Sequence, residues 1–158
     1  MVPTPLSHIL ERLRQKSASV ELIESSLELP FPHLKLNLGF DSQKRALFAL
    51  LWLFSPAQKG VKDQLLQIFI PFPFGFVESA LLPTARTLLR INKTTPFPGL
   101  GLSEPDRSLY YKYTLTFTEG GVKVELIENF LGAALFLIDS HSPQIEAVAS
   151  AQASVDFN

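Results

Sequence analysis

The sequence predicts a mixed fold, in the order helix, three or four strands, helix, loop, strand, helix. Three observations carry it. Leu6, Ile9, Leu10 and Leu13 open the chain at helical spacing. Two segments, 34–40 and 111–117, alternate apolar and polar residues with a period of two. A last helix, apolar nearly all round between Leu126 and Ile138, closes the chain and should be buried on more than one side.

The first helix runs from Thr4 to about Lys16. Thr4 can cap it and Pro5 suits its first position. Arg12, Arg14 and Lys16 lie near its C-terminal end, where the helix dipole favours cations. Residues 20–29 (VELIESSLEL) have a mixed period and are compatible with a strand, before Pro30 and Pro32 break the chain. Leu34, Leu36, Leu38 and Phe40 then alternate with Lys35, Asn37 and Gly39, and 41–44 reads as a turn.

In the run ALFALLWLF (46–54), Ala and Leu favour helix. The run is short, follows a strand and a turn, and ends in Trp52 and Phe54, which predicts a buried central strand paired with 34–40. Residues 55–63 form a polar loop. A strand over 64–72 places Leu66, Ile68, Ile70 and Phe72 on one face, with Pro71 and Pro73 predicting an end at the sheet edge.

A helix over 79–92 carries a stripe of Val77, Leu81, Ala85, Leu88 and Leu89, with Pro83 in or near its first turn. Residues 93–108 read mainly as loop. Tyr111, Tyr113, Leu115 and Phe117 alternate with Lys112, Thr114 and Thr116, and Glu119-Gly120-Gly121 ends that strand. The last helix starts near Val124 and reaches about Ala151, with a break at Ser142-Pro143. One domain over 1–152 is expected, followed by a frayed tail at 153–158.

Composition narrows function. Apolar residues make up 46% and charged residues 18%, against roughly 25% charged in soluble domains. That surplus predicts a buried homodimer interface or a groove holding another chain. With 14 basic and 15 acidic residues, the net charge of −1 gives no electrostatic case for nucleic acid. The absence of cysteine excludes disulfides, thiolate nucleophiles and cysteine-ligated zinc. The N-terminal residues lack the basic and apolar regions of an export signal. The longest apolar run, 46–54, falls far short of the roughly 20 residues that span a bilayer. The expectation is a cytoplasmic protein with no membrane span.

The element order, with Leu88-Leu89-x-x-Asn92, Gly99-Leu100-Gly101-Leu102, Tyr110 to Phe117 and the helix that follows, resembles the YbjN family. It also resembles the type III secretion chaperone-like fold related to that family. The resemblance covers about residues 66–140. It implies an α+β domain, an antiparallel sheet with helices packed mainly on one face, commonly dimeric. Chaperone members bind extended segments of partner proteins, YbjN-like members are thought to be regulators, and neither branch implies catalytic residues. This chain departs from the usually acidic chaperones in its near-neutral charge.

The search for chemistry yields little. His8, His33 and His141 have no metal-ligand spacing. Asp139-Ser140-His141 holds the residue types of a hydrolase triad, but adjacent side chains diverge, and a helix end is the plainer reading. Gly99-Leu100-Gly101 lacks the setting of a phosphate loop and reads as a turn. No catalytic, cofactor or metal residues are therefore assigned.

Phe69, Phe72, Phe74 and Phe76, with Pro71 and Pro73, form either core and strand edge or a partner surface. Trp52, Phe130 and Phe136 join them as candidate partner-binding residues, the last helix being either core or shared in a symmetric dimer. The expected function is a non-enzymatic chaperone-like or regulatory domain. It would bind an extended partner segment through an apolar groove or a strand edge. Two alternatives are an enzyme with Glu104 and Asp106 beside a tyrosine-lined pocket, and peripheral membrane attachment through 69–76.

Overall fold

A computed structural model describes residues 5–16, 19–54, 64–117 and 123–152. Helix α1 (Pro5–Gln15) begins on its proline and buries the four predicted residues Leu6, Ile9, Leu10 and Leu13. Strands β1 (Val20–Ile23), β2 (His33–Phe40), β3 (Ala46–Phe54) and β4 (Gln64–Gly75) follow. A 3₁₀ turn (Glu78–Ala80) leads into α2 (Leu81–Thr94), then β5 (Leu100–Ser103), β6 (Ser108–Phe117) and α3 (Val124–Ala149). Thr4, the loop at 55–63 and the tail at 153–158 lie outside the described residues.

The strands form one antiparallel sheet in the order β1-β2-β3-β4-β6-β5. The α+β class and the strand character of 46–54 are as the sequence implied. The tight β2–β3 turn is held by the Asp41 carboxylate, which accepts hydrogen bonds from the Gln43 and Arg45 backbone N–H groups.

Register explains the layers. Leu34 faces Leu51, Leu51 faces Ile68, and Ile68 faces Tyr113. Because side chains alternate across a strand, this phase also carries Leu36, Ala49, Leu66, Ile70 and Leu109, all buried in one core. Ile127, Phe130, Leu131, Ala134 and Ile138 of α3, Leu88 and Ile91 of α2, and α1 complete that core. The helices thus pack on one face.

Several expectations change. Residues 93–108 contain β5, so four strands precede α2, within the three or four expected, and two follow it where one was expected. The glycines and prolines there mask a short strand that exists through pairing with β6. β4 is an interior strand and extends to Gly75. Its prolines are tolerated because pairing with β3 ends at Phe69 and pairing with β6 slips between Pro71 and Gly75.

The buried side of α2 is Thr84, Thr87, Leu88 and Ile91, whereas Leu89 is 68% exposed and Val77 43% exposed. Small threonines face inward where α2 meets its neighbours, and Thr87 Oγ1 donates to the Pro83 carbonyl. α3 continues unbroken through Pro143. Both Pro143 and Asp139, whose carbonyl loses its helical partner, lie on the exposed side, where water can serve it. His141 therefore sits within the helix and not at its end.

Arg12 and Lys16 do more than complement a dipole: Lys16 Nζ lies 2.9 Å from Glu128, and Arg12 lies 3.7 Å from Glu125 of α3. A stronger clamp joins the β2–β3 turn to α3. The Arg45 guanidinium contacts Glu146 at 2.7 and 2.9 Å and Asp41 at 2.7 Å. Glu146 foremost holds the arginine pKa above its ordinary value. Burial pushes the Asp41 carboxyl up, but its hydrogen bonds from Arg45 and Gln43 outweigh this and hold it below 3.8.

Candidate functional site on the open sheet face

The opposite phase of the same strands looks away from the helices. It carries Lys35 and Asn37 on β2, Phe48, Leu50, Trp52 and Phe54 on β3, and Leu65, Gln67, Phe69 and Pro71 on β4. Tyr110, Lys112 and Thr114 on β6 extend it. Six of these thirteen side chains are aromatic or proline, whereas the covered phase is mainly aliphatic.

A row of rings crosses this face. Phe31, from the β1–β2 connection, lies 5.8 Å from Trp52, Trp52 lies 6.5 Å from Phe69, and Phe69 stacks on Tyr110 at 5.1 Å. The ring geometries are favourable ones for aromatic pairs. Trp52, Phe69 and Tyr110 are each half-buried, and Phe54 is 41% exposed. Beside the row, Lys35 Nζ sits 4.7 Å above the Phe48 ring. Gln67, buried in the centre, donates to the Tyr113 carbonyl at 2.8 Å and accepts from Thr114 Oγ1 at 3.1 Å. Its amide is thus satisfied and fixes the middle of the face.

The β1–β2 connection reaches over this surface. Glu28 and Leu29 line a groove of about 380 Å³ with Phe48, Leu50, Trp52, Phe69 and Pro71. An adjoining depression joins Phe69 and Tyr110 to the β5–β6 turn at Glu104, Pro105 and Asp106. The Asp106 carboxyl is held below its ordinary pKa by hydrogen bonds from Ser103 and then Ser108, whose hydroxyl donates at 2.9 Å. Glu104, Asp106 and Tyr110 do come together. Both carboxylates are exposed, however, and Asp106 is kept ionised by its turn, the opposite of a poised acid.

The segments that carried the family resemblance hold up one side of this face. Asn92 Nδ2 donates to the Leu100 carbonyl at 2.9 Å, and its Oδ1 accepts from the N–H groups of Gly99 and Leu100 at 3.1 and 3.0 Å. This amide engages the backbone of β5 at its start. A Cβ at Gly99 would lie 2.5 Å from the Lys112 carbonyl oxygen, and one at Gly101 would lie 2.6 Å from the Tyr110 ring. The glycines therefore allow β5 to close on β6 and leave Tyr110 its place in the row. They form neither a phosphate loop nor a bare turn.

The sequence-predicted partner residues divide into three groups. Trp52 and Phe69 lie on the open face. Phe72, Phe76 and Phe130 are core residues, and Phe130 stacks on Tyr113 at 4.7 Å. Phe74 is half-buried, edge-on to Phe72 with the Arg45 guanidinium over its ring. Phe136 is 75% exposed on the outside of α3. Sequence reasoning missed Phe31, Phe48 and Leu50. Strand 46–54 is apolar in both phases, so periodicity could not pick out its open face, and in 64–72 it marked only the aliphatic phase. The usable signal was the segregation of aromatic from aliphatic residues between alternate positions.

Among the described residues, no group of three potential ligands is placed to hold a metal ion. No helix among them is long and apolar enough to cross a membrane.

The arrangement defines an α+β domain that shields one face of its sheet and leaves the other as an aromatic platform. The sequence matches the YbjN family, described as "putative bacterial sensory transduction regulator", over residues 53–147, more than half of the chain. The chain belongs to the YbjN family. Its fold is similar to that in the crystal structure of YbjN from E. coli, described there as "a putative transcription regulator". The TM-score is 0.52 at 16% identity, covering 91% of this chain and 94% of that one. No match emerges among curated proteins. These comparisons bear on the YbjN family and its fold, and not on the secretion-chaperone branch.

Proposed function

We propose that this chain is a regulatory, non-enzymatic protein-binding domain that holds an extended segment of a partner protein on the open face of its sheet, in a chaperone-like manner. The observation that carries this reading is the ring row Phe31–Trp52–Phe69–Tyr110, exposed at Phe31 and half-buried beyond it, with no helix over it among the described residues. Large rigid side chains give contact area at low entropic cost, as in interface hot spots. A groove is favoured over strand addition because the two edge strands have four residues each and Asn92 engages the backbone of β5. The regulatory part rests on the family description.

We also infer a homodimer formed through the helix exteriors. Val77 N–H donates to the Ala149 carbonyl, and Phe97, just after α2, lies 5.7 Å from Phe130. The two helices therefore run antiparallel. Their outer sides carry Leu82 and Leu89 on α2 and Leu126 and Phe136 on α3, all more than half exposed. A twofold axis would pair this surface with its own copy.

A photo-crosslinking residue placed at Phe69 tests the binding reading in cells. A discrete adduct with one protein, absent when the same residue replaces exposed Glu11 of α1, is the expected result. Equal adduct patterns from both positions would defeat it.

A further inference from the structure

The chemistry around the open face points to the kind of segment it takes, an inference that rests on the binding reading above. The groove beneath Glu28 and Leu29 has an apolar floor, and the two charged residues at its rim are Glu28 and Asp106. The adjoining depression adds Glu104 on the same side, with Lys112 as its one cation. Nearby Arg107 is turned to Glu78, 2.9 Å away. Among the described residues, three carboxylates thus border an aromatic floor against two ammonium groups, Lys112 and the Lys35 that is already seated on Phe48. Asp106 stays charged because Ser103 and Ser108 hydrogen-bond to its carboxylate.

The face also shows what it accepts. Lys35 Nζ rests over Phe48, so one ammonium group already uses an aromatic ring of this surface. The connection at 28–32, Glu-Leu-Pro-Phe-Pro, puts Leu29 in the groove and Phe31 against Trp52. A proline-bearing segment, bent at Glu28 and Phe31, thus lies on this floor without ladder hydrogen bonds to it. We propose that the open face binds an extended peptide segment of a partner in which apolar or proline residues are flanked by lysine or arginine. The apolar residues would lie on Trp52 and Phe69, and the cations would meet Glu28, Glu104 and Asp106.

Trp52 is the only tryptophan in the chain and reports from the floor itself. The probes are blocked hexapeptides Lys-Leu-Pro-Phe-Pro-Lys and Glu-Leu-Pro-Phe-Pro-Glu, and a twenty-nucleotide oligothymidine, each titrated into the full chain while Trp52 emission is followed. The basic peptide is expected to bind at least tenfold more tightly than the acidic one. The preference should shrink with added salt and vanish or invert in the double variant Glu28→Lys/Glu104→Lys. Both positions are exposed, so folding is not at risk.

Equal binding of the two peptides would overturn the charge preference and leave the platform reading standing. Silence of Trp52 toward every peptide, together with no adduct from position 69, would overturn both. Tighter binding of the oligonucleotide than of either peptide would assign the face to nucleic-acid stacking and defeat the proposal.

Discussion

Ile68 and Phe69 are neighbours on β4 and belong to different worlds. Ile68 is fully buried among Leu34, Leu51 and the helices, whereas Phe69 is half-buried between Trp52 and Tyr110. The same contrast repeats at Leu51 and Trp52 on β3, and at Tyr111 and Tyr110 on β6. The covered phase is close-packed by side chains from three helices. The open phase is packed mainly by its own rings and by one loop. On the proposed function, stability and recognition fall to alternate residues of the same strands, and each should yield to substitution while the other is kept.

The largest effect is expected from Ile68→Ala, which should cost about 2–5 kcal/mol in urea unfolding through lost burial and a cavity. Phe69→Ala should cost about 1 kcal/mol, near the centre of ordinary substitutions. Equal losses would remove the division between the faces. Next comes Asn92→Ala. It leaves the Gly99 and Leu100 N–H groups and the Leu100 carbonyl without their present partner and should destabilise by about 1–3 kcal/mol. Amide exchange should show the loss concentrated in β5 and the β5–β6 turn.

A further, pH-dependent effect belongs to Tyr111. Burial foremost, with the neighbouring Tyr113, pushes the Tyr111 phenol up to about 12 from 10.0. A raised folded-state pKa means that this stabilisation is complete below about 10. It is lost as pH rises from there to about 12. The urea midpoint should fall across that window, and Tyr111→Phe should flatten the fall. An unchanged slope in the variant would contradict the assignment.

The smallest expected change in stability is that of Leu89→Glu with Phe136→Glu, about 0.5 kcal/mol for each exposed site. Light scattering should nevertheless shift from twice the chain mass to 17.6 kDa. A native protein already at 17.6 kDa would remove the dimer.

Much of the covered layer was legible in the sequence. The stripe of α1 and the aliphatic phase of 64–72 follow from periodicity, and 46–54 followed from its length and context. β5 was hidden because its glycines and flanking prolines signal loop, while the strand depends on Asn92 and β6. The inner side of α2 was misread because Thr84 and Thr87 are less apolar than Leu89, yet the helical phase that buries Leu88 and Ile91 turns the threonines inward and Leu89 outward. Pro143 signalled a break that exposure on α3 renders tolerable. The platform was half legible: Trp52 and Phe69 stood out as large aromatics, but Phe48 and Phe31 needed the register and the loop path to join them.

The most direct test of the division between the faces is the affinity of Phe69→Ala for the basic hexapeptide, read from Trp52 emission alongside its urea unfolding. The account predicts at least a tenfold weaker complex with stability lowered by about 1 kcal/mol. Undiminished affinity, or a stability loss matching that of Ile68→Ala, would contradict it.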